Sequence, residues 1–332
     1  MNNTVAATSM RAIVQDTYGT PEVLHLAQVA RPTIADDEVL VQVRAAGLDR
    51  GTWHLMTGQP YLLRVLGFGF RGPKNRVPGL DVAGTVAAVG SAVSEFEVGD
   101  EVFGISRGSF AEFAAVRRDK LSHKPRNLTF EQAAVIPISA GTALQALTDA
   151  GKVSKGQRVL IIGASGGVGT YAVQLAKAEG AEVTGVCSTT KMDLVRSLGA
   201  DHVVDYTCQD FAAVDTRYDL IIDIAGNSRL SRLRSALKPA GTLVIVGGEA
   251  GGRWTGGFGR TLRAPLLSPF VSQRMTMLAS KERASDQDRL KPLIEAGRVL
   301  PSIDSTYPLE RVAEAMRRLE AGAVRGKVVI TL

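Results

Sequence analysis

"VLIIGASGGVGTYAVQLAKAEG", Val159 to Gly180, carries the strongest structural signal in this chain. A continuously apolar run enters a cluster of glycines, Gly163, Gly166, Gly167 and Gly169, and the pattern of an amphipathic helix leaves it. Glycine loses more conformational freedom on folding than any other residue, so four of them at the mouth of a helix weaken local structure. Their use must lie in a bare backbone. At a strand-to-helix turn the first helical N–H groups lack intrahelical partners, and that end of the helix is partially positive, which suits a pyrophosphate. Glycine lets the backbone approach the phosphate and lets the helix lie close on the strand. The run Ala164-Ser165-Gly166-Gly167-Val168-Gly169 is a G-x-G-x-x-G pattern with alanine at its first position. Alone the motif is weak; set after an apolar strand and before a helix, it predicts dinucleotide binding over a purely structural turn.

The flanking sequence continues that rhythm. Strand patterns at Arg158–Ile162, Glu182–Cys187, His202–Tyr206, Asp219–Ile224 and Thr242–Val246 alternate with helix patterns near Val168–Glu179, Lys191–Leu198 and Ser228–Leu237. A sixth strand is expected in "RMTMLAS", Arg274 to Ser280. Apolar strands alternating with amphipathic helices predict an α/β fold with a doubly wound parallel sheet covered on both faces. Upstream of Phe130 the segments "EVLVQVRAAG", "AGTVAAVG", "VGDEVFG" and "GSFAEFAAV" are short strands stopped by glycine, which predicts a small, mostly-β barrel or sandwich. "FEQAAVIPISAGTALQALTDA" is helical, with Pro137 as a kink or a break. The Gly- and Arg-rich stretch "GGEAGGRWTGGFGRTLRAPLLSPF", Gly247 to Phe270, is expected as a surface loop, with a flap over the cofactor or an oligomer contact as alternatives. The tail supplies a helix near Gln287–Ala296, a strand in "SIDSTYPL", a helix over Leu309–Glu320 and a last strand in "GKVVITL".

Bulk properties narrow the function. The 332 residues suffice for about two domains. The net charge of +6 is spread along the length, with no basic stripe interleaved with aromatics, so nucleic acid is not an expected partner. The N-terminus MNNTVAATSMRAIV lacks the pattern of a secretion signal, and no apolar run is long enough to span a membrane. Cys187 and Cys208 cannot make a disulfide framework or a multi-thiol metal site. A cytoplasmic, reduced protein is expected.

The second strand of the nucleotide fold indicates which dinucleotide. An NAD site places Asp or Glu at its end, on the ribose 2′-hydroxyl. Here Cys187 stands in that place, followed by Ser188, Thr189, Thr190 and Lys191. Hydrogen bonds to a charged group are worth roughly 1.5–3 kcal/mol each, so two would favour a 2′-phosphate by about 10²–10⁴. NADP(H) is the expected cofactor, the alternative being that Lys191 is only a solvated helix start.

The segments "VPGLDVAGTVAAVG" (Val77 to Gly90), "VGDEVFG" (Val98 to Gly104), "GTALQAL" (Gly141 to Leu147), "GASGGVG" (Gly163 to Gly169) and "RGKVVI" (Arg325 to Ile330) resemble the medium-chain dehydrogenase/reductase superfamily over essentially the whole chain. The resemblance implies a GroES-like catalytic domain at 1–126, completed by 281–332, around a Rossmann NADP-binding domain at 127–280. It also implies a cofactor lying in the cleft between them; dimers are common in that family. Zinc alcohol dehydrogenases of the superfamily carry Cys where this chain has Asp49, His where Leu80 stands in Gly79-Leu80-Asp81, and a second Cys near Pro137–Ser139. Catalytic zinc needs about three converging N, S or O ligands, so no metal site is expected. The chain is similar to the zinc-free quinone oxidoreductases related to zeta-crystallin. That similarity implies NADPH-dependent reduction of small-molecule quinones or α,β-unsaturated carbonyls. A zinc-free alcohol or enoyl-thioester dehydrogenase, and a non-enzymatic NADPH-binding redox sensor, are the alternatives.

The same resemblance distributes the site. Ala164, Ser165, Gly166, Gly167, Val168 and Gly169 would hold the pyrophosphate, and Ser188, Thr189 and Lys191 the 2′-phosphate. Tyr206 would lie beside the adenosine phosphate, Thr142 near the nicotinamide ribose unless it is a helix cap, and Lys327 near the cofactor cleft unless it is a surface lysine. Gly226, Asn227, Gly247 and Gly248 end strands at the carboxyl edge, where ligands bind. Asp49 could be a proton donor, or a structural carboxylate paired with Arg44, Arg50 or a backbone N–H. His54 could relay protons or be a satisfied imidazole. Trp53, Tyr61 and Phe68 could line an apolar slot for a planar acceptor, or belong to the core; Asp81 reads as structural.

Overall fold

The computed structural model describes residues 9–213, 216–248 and 252–332; the N-terminal residues weighed above as a secretion signal fall largely outside them. The chain opens with a hairpin, β1 (Ser9–Val14) and β2 (His25–Ala30), followed by β3 (Glu38–Leu48) and helix α1 (Arg50–Thr57). Strands β4 (Asp81–Val89), β5 (Glu101–Ile105), β6 (Phe113–Arg117) and β7 (Leu121–His123) come next, then helices α2 (Phe130–Ala133) and α3 (Pro137–Leu144). Pro137 marks the break between α2 and α3 rather than a kink, standing as the first residue of α3, where its missing N–H costs no helical hydrogen bond.

The nucleotide-type half alternates as anticipated. It runs β8 (Arg158–Ile162), α4 (Gly167–Ala178), β9 (Glu182–Cys187), α5 (Met192–Ser197), β10 (His202–Asp205), β11 (Tyr218–Asp223), α6 (Leu230–Ser235) and β12 (Leu237–Ile245). Then come α7 (Phe258–Leu267), β13 (Arg274–Met277), α8 (Ala284–Glu295), β14 (Ile303–Pro308), α9 (Val312–Glu320) and β15 (Lys327–Thr331). The stretch expected as a surface loop is thus largely helical: α7 and a 3₁₀ turn at Ser268–Phe270 occupy it, although Pro265 lies inside the helix.

Six strands form a wholly parallel sheet in the order β10-β9-β8-β11-β12-β13. The order reverses between β8 and β11, and in such a sheet ligands bind outside the carboxyl ends at that point. The second sheet runs β14-β15-β3-β4-β5-β7, with β6 on β3, so the last strands of the chain complete the sheet begun by the first. One core spans both: Ala45, Ala83 and Phe103 of the second sheet pack with α3, with Tyr171 of α4 and with Ile161 of β8.

Gly169 shows how tightly α4 is seated. A Cβ there would lie 2.1 Å from the carbonyl oxygen of Gly163. Gly169→Ala should therefore lower stability by about 2–3 kcal/mol through overpacking against backbone. A urea midpoint equal to the parent's would mean that α4 can slide off β8 without loss.

Candidate functional site

The glycines of the turn have separate tasks. Gly163 adopts φ +91°, turning the chain as β8 ends, and its N–H and that of Ala164 both reach the carbonyl of Val186. Gly166 is the N-cap of α4 and carries no side-chain cap, so the helix's first N–H groups face outward. A Cβ on Gly166 would meet nothing closer than 3.5 Å, whereas one on Gly167 would come within 2.9 Å of Lys327 Cδ. Gly169 serves packing and Gly167 admits Lys327, while Gly166 keeps the ground before the helix open. Ser165, Gly166, Gly167 and Val168 line a cleft of about 440 Å³; Ala164 is wholly buried behind it.

Opposite this turn stand Leu48, Asp49 and Gly51, with the C-terminal segment through Gly326 closing the side. The two sheets are tied here by Gly326, which donates its N–H to the carbonyl of Ser165 at 2.8 Å, and within the second sheet Lys327 Nζ donates to Asp81 Oδ2 at 2.9 Å. The other Asp81 oxygen accepts the N–H of Ile138 at 2.8 Å. Lys327 is 2% exposed and Asp81 0%, so Lys327 is no surface lysine. Burial pushes the Asp81 carboxyl up to about 6; Lys327 opposes that rise and the Asp49 charge adds to it.

Asp49 is the N-cap of α1. Its Oδ1 accepts the N–H of Thr52 at 2.8 Å and the Thr52 hydroxyl at 3.2 Å, the backbone partner among those anticipated. Its Oδ2 is buried and has no hydrogen-bond partner among the described residues.

A second cavity of about 340 Å³ continues the cleft toward β9 and β10, sharing Gly163, Ser165, Lys191 and Ala225 with it. Ser188, Tyr206 and Asn227 line this end. Tyr206 falls just beyond β10, its ring exposed and its N–H on the Cys187 carbonyl. Lys191 is not a solvated helix start. It is half-buried and donates to the carbonyls of Gly322 and Val324 at 2.7 and 2.8 Å, and burial lowers its pKa. Thr189 donates to Asp205 rather than lining the cavity. Asp205, unanticipated from the sequence, also accepts the N–H and hydroxyl of Thr207; these hydrogen bonds, that of Thr189 foremost, hold its carboxyl low.

Other expected residues lie elsewhere. Thr142 is inside α3, not at a cap, and its hydroxyl meets Ser280 at 3.4 Å. His54 donates from Nδ1 to the Gln59 carbonyl at 2.7 Å and faces a small cavity beside Arg253 instead of the cleft. Trp53 lines that same small cavity and reaches Glu320 at 3.4 Å. Tyr61 stacks edge-on with Trp254 at 5.4 Å, and its N–H and that of Leu62 donate to the carbonyls of Arg253 and Trp254. Phe68 faces a separate cavity. Gly226, at φ +70°, lies against Gly247, and Gly248 against Gly257. Arg260 of α7 ion-pairs with the buried Asp223 and donates to the carbonyls of Ser228 and Gly247, which pins the 252–267 segment to the sheet edge. An aspartate ending the apolar run "LIID" was the available signal for that anchor.

Comparison with known proteins adds a family. Residues 35–126 match the alcohol dehydrogenase GroES-like domain and residues 198–330 the zinc-binding dehydrogenase domain. The chain is 33% identical to 2-methylene-furan-3-one reductase of Solanum lycopersicum, over 97% of this chain and 79% of that protein. It is 34% identical, with the same coverage, to a chloroplastic NADPH-dependent alkenal/one oxidoreductase of Arabidopsis thaliana. The solved quinone oxidoreductase from Coxiella burnetii superposes with a TM-score of 0.86 at 29% identity, covering 98% of this chain and 99% of that one.

The second domain description names zinc, but the residues here do not fit it. Leu80 offers no ligand atom, both Asp81 oxygens are engaged, and Asp49 commits one oxygen to Thr52. Among the described residues no three His, Cys, Asp or Glu side chains gather where they could hold an ion.

The Asp81–Lys327 pair makes a pH-dependent contribution. With the folded-state pKa of Asp81 raised, the folded protein holds a proton that the unfolded chain has released, so stability falls as pH rises from about 4 through about 6. Lys327→Met strands the carboxylate at a cost of about 3–5 kcal/mol near neutrality. The variant should regain part of that loss at about pH 5, read from urea midpoints; a pH-independent loss would contradict the pairing.

Proposed function

The chain belongs to the medium-chain dehydrogenase/reductase superfamily, in its quinone oxidoreductase branch, and we propose that it reduces quinones or α,β-unsaturated carbonyls with NADPH and without zinc. It is an oxidoreductase of the nicotinamide-dependent kind. One observation supports the finer reading: a continuous trough runs from the bare N-terminus of α4 to Asp49, and among the described residues no three His, Cys, Asp or Glu side chains gather where they could hold a metal.

The residues present suit the cofactor. The open ground at Gly166 and the free N–H groups behind it would take the pyrophosphate, and the N-terminal dipole of α4 favours that charge. Ser188 and Tyr206 would face the adenosine end. Cys187 leaves the tip of β9 without a carboxylate to repel a 2′-phosphate, which supports NADPH, although the hydroxyls of Thr189 and Thr207 are engaged by Asp205. When bound, the reduced nicotinamide supplies a hydride.

The acceptor end explains the substrate class. Aldehyde or ketone reduction builds charge on one oxygen and gains from a Lewis acid; conjugated acceptors spread that charge over an enolate or quinol. Lys327 contributes a buried cation on this side of the cleft, already partnered by Asp81. Asp49, which lines the cleft, is the residue proposed to exchange a hydrogen bond or a proton with the acceptor. His54, held by Gln59, takes no part. The segment pinned by Arg260 lies against Tyr61 and Leu62 and helps keep solvent from that side. A second copy of the chain is proposed to pair with edge strand β13, beside which Leu262, Leu266 and Phe270 are exposed. Phe270→Glu should then shift the mass measured by light scattering to that of the monomer, and an unchanged mass would reject the pairing.

A steady-state NADPH-oxidation screen over quinones, enones, acyl-thioesters and aldehydes tests the function; turnover confined to aldehydes would reject it, as would binding with no turnover. Gly166→Asp separates binding from folding. Aspartate is a good N-cap, so stability should hold or rise by a few tenths of a kcal/mol, while calorimetric NADPH affinity should fall at least about 100-fold. Retained affinity would remove the pyrophosphate from this turn.

A further inference from the structure

We propose that the protein docks on anionic lipid surfaces, through the face where the loop from Tyr61 to Lys74 meets the turn at Arg253–Gly256. Two stretches of the chain, 50–80 and 252–281, contain no Asp or Glu. The fold brings them together. Tyr61 and Leu62 donate their N–H groups to the carbonyls of Arg253 and Trp254 at 2.8 and 3.0 Å, the Tyr61 and Trp254 rings meet edge-on, and Gly256 lies against Pro60. The acid at the margin of this face, Asp16, is already held by Arg76.

Large apolar side chains stand out into solvent here: Val65 is 71% exposed, Phe70 75% and Trp254 74%. Scattered singly such residues are ordinary, but grouped on one face they mark an interaction site. Arg64 holds the group together. Its guanidinium lies over the rings of Tyr18 and Tyr61 at 4.4 and 4.5 Å, and the Tyr18 hydroxyl reaches the carbonyls of Phe68 and Gly69. The loop that carries Val65 and Phe70 is thereby wrapped against the ring that Trp254 touches. Around these side chains Arg71, Lys74 and Arg253 are exposed, with no ion-pair partner among the described residues.

The combination selects the occupant. A purely apolar partner would cover Val65, Phe70 and Trp254 and leave three cations unanswered. A nucleic acid would answer the cations and gain little from Val65 or Phe70. An anionic bilayer meets both needs: headgroups pair with the cations, the tryptophan ring sits at headgroup level, and the apolar side chains enter the acyl boundary. The face borders the acceptor side of the cleft, because Pro60 and Arg253 line the small cavity that shares Arg50 with it. On the proposed function, a lipid-dissolved quinone would then approach the cleft from the bilayer; the docking itself does not rest on that reading.

The test sediments the full chain with sucrose-loaded vesicles of phosphatidylcholine, alone or with about 30 mol% phosphatidylglycerol. Partition should rise at least about tenfold with the anionic lipid and fall about tenfold between about 50 and 300 mM salt. Phe70→Glu should abolish it, and Arg71→Gln combined with Lys74→Gln should lower it about tenfold. Lys152→Gln combined with Lys155→Gln removes the same charge from the turn before β8, at the amino ends of the parallel strands, and should change partition less than about threefold. All these variants should keep the parent's urea midpoint. Vesicle binding needs no turnover, so its result stands apart from that of the substrate screen. Equal partition onto both kinds of vesicle, undiminished binding in Phe70→Glu, or an equal loss in the Lys152 and Lys155 variant would overturn the proposal. So would a smaller light-scattering mass for Phe70→Glu without vesicles, which would assign the face to a second copy of the chain.

Discussion

The buried pair of Asp81 and Lys327 is the contact on which the rest of this structure depends. Asp81 begins β4 and Lys327 begins β15, and the carboxylate also caps Ile138 at the start of α3. One residue before Lys327, Gly326 bonds to Ser165 in the turn that opens α4. Two sheets and two helices therefore meet within a few bonds, under the N–H groups that would receive a dinucleotide. Removing both charges from water is expensive, and such a pair is retained only when each partner is fully hydrogen-bonded. Both Asp81 oxygens are. The pair fixes β15 against β4 within one sheet, while the Ile138 N–H on Asp81 and the Gly326 N–H on Ser165 carry that placement to α3 and to the α4 turn, a positional role more than a stabilising one.

That arrangement also bears on reaction chemistry. In a metal enzyme of this architecture, charge at the acceptor is met by an ion; here the corresponding region holds Leu80 and a carboxylate already spent on a lysine. What remains is a positively biased helix end, a buried ammonium and an Asp49 carboxylate oxygen without a partner among the described residues. Such a site binds and orients well and polarises weakly. It suits acceptors that delocalise their own developing charge.

Much of this was legible in the sequence where local pattern and tertiary role coincide. Apolar strands, glycine punctuation and helical periodicity place β8, β9 and α4 to within a residue, because strands buried on both faces must be apolar throughout. Legibility fails where long-range partners decide. Nothing local says that Lys191 will be drawn to two carbonyls of the 322–324 loop, or that Thr189 will turn to Asp205. His54 follows Asp49 by five residues, well over one helical turn and round to another face, and the Gln59 carbonyl holds it there. The 252–267 segment misled by composition: its glycines suggested a loop, while the ordering force is Arg260 on a buried aspartate 37 positions away.

The central claim is that this cleft delivers hydride without metal assistance. It is tested most directly by comparing turnover of an α,β-unsaturated ketone with that of its saturated counterpart, with NADPH, before and after exhaustive chelation and after zinc is restored. The account predicts reduction of the conjugated ketone alone, at a rate indifferent to chelator and zinc. Reduction of the saturated ketone, or activity lost on chelation and recovered with zinc, would contradict it.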